Sequence, residues 1–159
     1  MAAAPRLGAM GLIGPPSPLS ARATALLGQI HQARHLGRPG NSPYCVLEVG
    51  AVYVQALARA GCSTIQLEVV SAKSNVAVAA TLTRAKVRLL TALGFAPPGP
   101  RSPNYWQEVE IAGQADLDRA GRLMAAALTF VYGIGDPGLV IATLAIPSPW
   151  APPTAPAKA

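Results

Sequence analysis

Residues 52–70, VYVQALARAGCSTIQLEVV, decide the fold because two alternating runs flank a short turn that contains glycine. In both runs every second side chain is apolar, which is the period of a half-buried β-strand. Two such runs joined by four residues predict a β-hairpin. Its apolar face should pack on helices, and its polar face should meet solvent or a ligand. The polar face contains Gln55, Gln66 and Glu68.

The flanking sequence adds three strands and two helices to this hairpin. Strands are predicted at 44–49 before it, and at 104–111 and 139–146 after it. A helix over 83–93 should begin at the N-cap Thr83 and end at Gly94, and a second should start near Asp116. The order β-β-β-α-β-α-β predicts an α+β fold, with helices packed on one face of a mostly antiparallel sheet.

Charge and proline divide the 159 residues into a domain and two tails. Residues 1–40 contain four arginines and no acid, although 20–35 could form a short helix on Leu26, Leu27 and Ile30. Prolines cluster in the first 43 residues and again after 146. These patterns predict a disordered basic head at 1–42, a domain at 43–147 and a disordered tail at 148–159. The net charge of +6 therefore lies mainly in the head.

No arrangement of residues indicates a metal site, a disulfide framework or a membrane span. The two cysteines, Cys45 and Cys62, have no partner at metal spacing and are interpreted as small core residues in a reducing cytoplasm. His31 and His35 are four residues apart, but no third ligand accompanies them, so we interpret them as surface histidines. The longest apolar run, at 123–146, is interrupted by glycines, Asp136 and proline. We expect no cofactor and no metal.

Two motifs leave other function classes open. Glu108 and Glu110 lie on the same face of a predicted strand, as a hydrolytic carboxylate pair would. An exposed strand face explains them more simply, and no histidine falls within 43–147 to support nucleophilic catalysis. Tyr105 and Trp106 could stack on bases, but no arginine-rich groove accompanies them. The alternatives are thus a small enzyme, or a membrane- or nucleic-acid-associated protein that acts through its basic head.

The order of short motifs over about 44–142 resembles one family, the peptide-binding chaperone-like domains of type III secretion chaperones and bacterial YbjN-like proteins. The motifs are YVQ at 53–55, LEVVS at 67–71, LTALGF at 90–95, PNYW at 103–106 and VYG at 131–133.

This resemblance implies a non-enzymatic domain that holds an extended or amphipathic segment of a partner protein. It also allows a homodimer, and it brings no catalytic residues. Five matching residues would mark the partner-binding surface of the sheet or its rim. They are Tyr53, Gln55, Glu68, Tyr105 and Trp106. For strand addition, the strand at 105–111 is a candidate edge, and an exposed apolar patch is the alternative platform. Nucleic acid and membrane are not expected as partners.

Overall fold

A five-stranded antiparallel sheet forms the centre of the computed structural model, which describes residues 13–148. The strands lie side by side in the order β4-β3-β2-β1-β5, so β4 and β5 are the two edges. They are β1 (Tyr44–Val49), β2 (Val52–Ala58), β3 (Thr64–Val69), β4 (Tyr105–Glu110) and β5 (Ile141–Ala145). The predicted α+β fold and its order of elements from β1 onwards are confirmed.

Three α-helices of the described chain pack on one face of this sheet. They are α1 (Pro18–Gln32), α2 (Arg84–Ala92) and α3 (Gln114–Ala126), and α3 continues into a π-helical turn at Ala127–Val131. The Thr83 hydroxyl accepts from the Lys86 amide as the predicted cap of α2, and Gly94 has the left-handed φ of 98° that ends the helix region. The helices bury the alternating apolar residues of the central strands, including Leu47, Val54 and Leu67.

The first helix corrects the predicted domain organisation. Residues 18–32, which we placed in a disordered head, form α1, and its Leu19, Leu27 and Ile30 belong to the hydrophobic core. Ser17 and Ser20 cap the helix reciprocally. Charge and proline content misled the prediction because a short stripe of Leu19, Ala23, Leu27 and Ile30 is enough to join the core when the helix packs tightly. Residues 1–12 and 149–159 of the predicted tails lie outside the described residues.

The contact between α1 and α3 depends on a glycine. A Cβ atom built on Gly121 would lie 2.9 Å from the Ser20 carbonyl oxygen and 2.9 Å from the Thr24 amide nitrogen, closer than real Cβ atoms approach. The two helix backbones therefore come together at a point where α3 has no side chain. This approach brings α1 over β1 and β2 and completes the helical layer.

Candidate functional site

The face of the sheet opposite the helices, which we call the uncovered face, has a polar half and an apolar half. The polar half runs over β2, β3 and β4, and the apolar half over β1 and β5. Alternation within each strand places the side chains there. The polar half contains Tyr53, Gln55, Leu57, Thr64, Gln66, Glu68, Trp106, Glu108 and Glu110. The more apolar half contains Tyr44, Val46, Ile141 and Ala145, together with Glu48 and Thr143.

A buried carboxylate organises the polar half. Glu68 Oε1 accepts from Gln66 Nε2 at 2.6 Å and Ser102 Oγ at 3.1 Å. Glu68 Oε2 accepts from Gln55 Nε2 at 2.6 Å and Asn104 Nδ2 at 3.2 Å. Four neutral donors thus replace the water that a carboxylate loses on burial.

This network corrects the expectation that the polar hairpin face meets solvent or a ligand. Gln66 is 6% exposed and Glu68 is 8% exposed, while Gln55 is half-buried. The segment 96–104 causes the difference, because it folds over the face and brings Ser102 and Asn104 onto the carboxylate. Strand periodicity could not show this, since the covering residues come from a distant loop.

The covering segment is fixed to β4 and to the ends of β2 and β3. Ala96 and Trp106 exchange backbone hydrogen bonds of 2.7 and 3.1 Å. The Asn104 amide donates to the Tyr53 hydroxyl at 3.1 Å, and its oxygen accepts from the Ser71 amide at 3.2 Å. β4 is an edge strand, as predicted, but its outer side is occupied at Trp106 and stays open at Glu108 and Glu110 within the described chain.

Charged residues surround Glu108 on the same half of the face. The Arg101 guanidinium lies 4.6 Å from the centre of the Trp106 ring and bonds Glu108, while Arg59 Nη1 lies 3.7 Å from Glu108. Glu110 accepts from Ser63 instead. Glu108 and Glu110 share a face as predicted, but each carboxylate has its own partners, and no contact joins them into an acid–base pair.

The β5 edge is open and apolar. Ala58 donates to the Pro43 carbonyl, which fixes the alternation of hydrogen bonds across β1. It follows that Ile141, Thr143 and Ala145 direct their backbone groups to β1, and that Ala142 and Leu144 direct theirs outward. No hydrogen bond within residues 13–148 uses these outward groups.

The side chains along β5 leave a large apolar surface in solvent. Ile141 is 63% exposed, Ile146 is 42% exposed and Leu144 is 36% exposed. Ile141 belongs to the uncovered face and Leu144 to the helical side, so both sides of the edge are apolar. An open edge with such side chains is the usual feature of a strand that accepts another chain.

The structure places four of the five sequence-predicted site residues on the uncovered face, and joins three of them in one hydrogen-bond network. Tyr53 and Gln55 meet Glu68 in the polar network, Gln55 directly and Tyr53 through Asn104. Trp106 is the cross-strand neighbour of Glu68 on the same face, and Tyr105 lies on the opposite face among half-buried core residues. Sequence reasoning missed Ser102 as a donor and β5 as the open edge. The uncharged stretch at 137–157 was the available signal for β5.

The helical side has a groove between α1 and α3 with a volume of about 670 Å³. Small residues of α1 line one wall, and Asp118 and Arg122 of α3 lie on the other. The Arg122 Nε is buried and has no hydrogen-bond partner within the part of the chain that the structure describes. None of the sequence-predicted site residues lines this groove.

The histidines and cysteines show no arrangement for catalysis or metal binding. Burial, and to a lesser degree Arg34, lowers the pKa of His31. Burial raises the pKa of Cys45 to about 12, so that thiol stays protonated near neutral pH. Among residues 13–148, no three potential ligands gather into a metal site. Within the same range, no helix combines the length and hydropathy needed to cross a bilayer.

Comparison with known proteins identifies a family. The family model described as "T3SS (YopN, CesT) and YbjN peptide-binding chaperone 3" matches residues 19–145, which include α1 and all five strands. No curated protein and no solved structure matches the chain.

Proposed function

The chain belongs to the family of T3SS and YbjN peptide-binding chaperones, and on this premise we propose that it holds an extended segment of a partner protein as an added strand beside β5. The observation that carries this proposal is the open outer edge of β5, where the backbone groups of Ala142 and Leu144 have no partner among residues 13–148. Main-chain hydrogen bonds to these groups would supply affinity for any extended peptide.

The side chains beside that edge define the segment that would fit. A strand next to β5 points alternate residues towards Ile141 on one face and Leu144 on the other. Both neighbours are apolar, and the chain carries no charge from 137 to 157. The partner segment is therefore apolar on both faces over about five residues, in keeping with the length of β5.

The five contact residues predicted from the sequence lie away from β5 and have different roles in this proposal. Tyr53, Gln55 and Trp106 lie on the uncovered face, two or more strands away from β5, and a partner chain that continues across the sheet would reach them. Glu68 acts through its neighbours, since the network that it anchors fixes Gln55 and Asn104. Tyr105 lies on the helical face of β4 and packs against the hydrophobic core there.

No enzymatic step is part of the proposal. The carboxylates that could have formed a catalytic pair bond Arg101, Arg59 and Ser63. The two cysteines are free thiols, which fits a reducing cytoplasm.

A proline at the outer edge of β5 tests the proposal. The probe is a fluorescein-labelled peptide selected by wild-type protein from an array of random dodecapeptides, and its affinity is measured by fluorescence anisotropy. Leu144→Pro removes an outward N–H that the sheet itself does not use, so the domain should fold and bind the peptide at least about tenfold more weakly.

Two control variants separate backbone pairing from side-chain contact. Leu144→Ala keeps the N–H and should lose only about two- to fivefold in affinity. Val76→Ala changes an exposed valine away from the sheet edges and should bind as the wild type does. Urea unfolding checks that every variant is folded. A folded Leu144→Pro chain with wild-type affinity would rule out strand addition at β5.

A further inference from the structure

A fixed positive charge lies just beyond one end of the open edge of β5. Resting on the proposed function, we propose that Arg22 binds a carboxylate of the partner segment at this end. The segment is then an apolar strand that is followed directly, on its C-terminal side, by an acidic residue or by the chain terminus. This adds one charged position to the apolar segment that fits beside Ile141–Ala145.

The backbone of Val140 ends the open edge just before β5. Its N–H donates to the Pro137 carbonyl at 3.2 Å, and its carbonyl accepts from Arg22 Nη1 at 2.8 Å. Because Val140 is extended, with φ −80° and ψ 121°, alternation directs its carbonyl outward, as at Ala142 and Leu144. An added strand therefore pairs with Ala142 and Leu144, and beyond them it meets the guanidinium.

The Arg22 guanidinium has spare hydrogen-bonding capacity. Arginine has five N–H donors in a fixed fork, and the contact with Val140 is the one hydrogen bond that this guanidinium makes within residues 13–148. Over the same range Arg22 forms no ion pair. The contact with Val140 also holds the guanidinium at the end of the edge before a partner arrives, which lowers the entropic cost of binding.

The nearest acidic residue by strand register lies on the other face of the sheet. Glu48 is the cross-strand neighbour of Ile141 and belongs to the uncovered face, whereas Arg22 reaches the edge from α1 on the helical side. Residues 1–47 contain no acid. The partner can supply the missing anion, because a carboxylate accepts two parallel N–H bonds from the guanidinium fork and every unmodified polypeptide has one.

The direction of the added strand decides where the carboxylate stands in the partner sequence. Every strand pair of the described sheet is antiparallel. A partner that continues this pattern runs from Ala145 towards Ile141, so its C-terminal end reaches Arg22. The apolar residues therefore come first and the carboxylate last. An aspartate or glutamate side chain and a free C-terminus present the same chemical group.

An aspartate scan with the full-length chain tests this site. The probe is the fluorescein-labelled peptide from the array, made with a C-terminal amide, and each residue after its apolar stretch is changed in turn to Asp and to Asn. A second arm truncates the peptide after each of these residues, with a free or an amidated C-terminus. In at least one arm, the carboxylate form should bind wild-type protein about tenfold more tightly than its uncharged pair, since only the carboxylate forms a charge-assisted hydrogen bond.

Two variants assign the preference to Arg22. Arg22→Gln should abolish it, so that paired peptides bind within about twofold of each other. Arg88→Gln removes the same charge from an exposed position on α2 and should retain the preference. A structural role of Arg22 would weaken both peptides of a pair equally and would leave their ratio unchanged. Urea unfolding checks that both variants are folded.

The outcomes separate this site from the proposed function. Paired peptides that bind the wild type equally in both arms overturn the carboxylate site and leave strand addition at β5 standing. A preference that survives Arg22→Gln overturns the assignment to Arg22. An Asp placed before the apolar stretch should give no gain, and a gain only there overturns the direction. If the array yields no peptide, the proposed function fails and the carboxylate site falls with it.

Discussion

The two edges of the sheet are protected in different ways. At β4, Ala96 pairs with Trp106, the segment 96–104 folds over the neighbouring face, and Arg101 stacks on the Trp106 ring. At β5, the outward groups of Ala142 and Leu144 have no partner within the described chain. Within the described chain, a loop thus pairs with the β4 edge at Trp106, and no segment pairs with the β5 edge.

Because a loop of this fold pairs with the edge strand β4, the open edge is a feature of β5 and not of the fold as a whole. Charged and polar residues at β4 already hinder a second strand, yet that edge also receives a covering segment. The apolar edge, which is the more hazardous one for aggregation, receives neither charge nor cover within the described residues. Such an arrangement is expected where the edge strand binds another polypeptide segment.

The rate at which Cys45 is alkylated reports how well the core beside β1 and β5 is protected from solvent. Cys45 is the cross-strand neighbour of Leu144, and burial raises the pKa of its thiol from 9.0 to about 12. At pH 8, iodoacetamide should modify Cys45 at least about a thousandfold more slowly in the folded chain than in urea, because the reactive thiolate is that much scarcer. Mass spectrometry of the alkylated peptides gives both rates. Half-exposed Cys62 is the internal control, and equal rates at the two cysteines would mean that the core around Cys45 opens in the folded chain.

The next largest effect is expected from removal of the Glu68 carboxylate, which lies beneath the segment 96–104. Glu68→Ala leaves Gln55, Gln66, Ser102 and Asn104 without their acceptor in a buried site. We expect the free energy of unfolding in urea to fall by about 3 kcal/mol, because buried donors lose their partners and a cavity forms.

The matched control is Glu110→Ala, which removes an exposed carboxylate from the neighbouring strand. It should change the free energy of unfolding by less than about 0.5 kcal/mol. If both variants lost the same amount, the network around Glu68 would have no special part in holding the segment 96–104 on the sheet.

The smallest expected difference compares one exposed residue at each edge. Arg101→Ala removes a cation–π contact and an ion pair at β4 and should lower the free energy of unfolding by about 1 kcal/mol. Ile141→Ala at β5 should cost less than about 0.5 kcal/mol in dilute protein, since that side chain is 63% exposed. Both values come from urea titrations. A larger loss for Ile141→Ala would show that β5 is supported by contacts outside residues 13–148.

The central sheet could be predicted from the sequence because its strands alternate strictly. Residues 52–70 gave the hairpin, and Thr83 and Gly94 gave the limits of α2, through signals that lie within a few residues of each other. The first helix was underestimated because its stripe contains alanine and its surroundings contain proline. What makes that stripe effective is the close contact with Gly121, which lies about a hundred residues further along the chain.

The candidate site was less predictable because it depends on tertiary contacts. Gln55 and Glu68 were selected correctly as neighbours, but their burial follows from Ser102 and Asn104, whose position only the folded loop reveals. The edge position of β5 follows from its pairing with β1, the first strand of the sheet. No local pattern shows which of two distant strands an apolar run will join.

The pairing of β1 with β5 also sets a waiting time during synthesis. Tyr44 is paired with Ala145, so the ribosome must add about a hundred residues after β1 before its last neighbour exists. At roughly 5–20 residues per second, β1 waits about 5–20 s with one side unpaired. Until β5 has been synthesised, the nascent chain is therefore exposed to wrong strand pairing along β1.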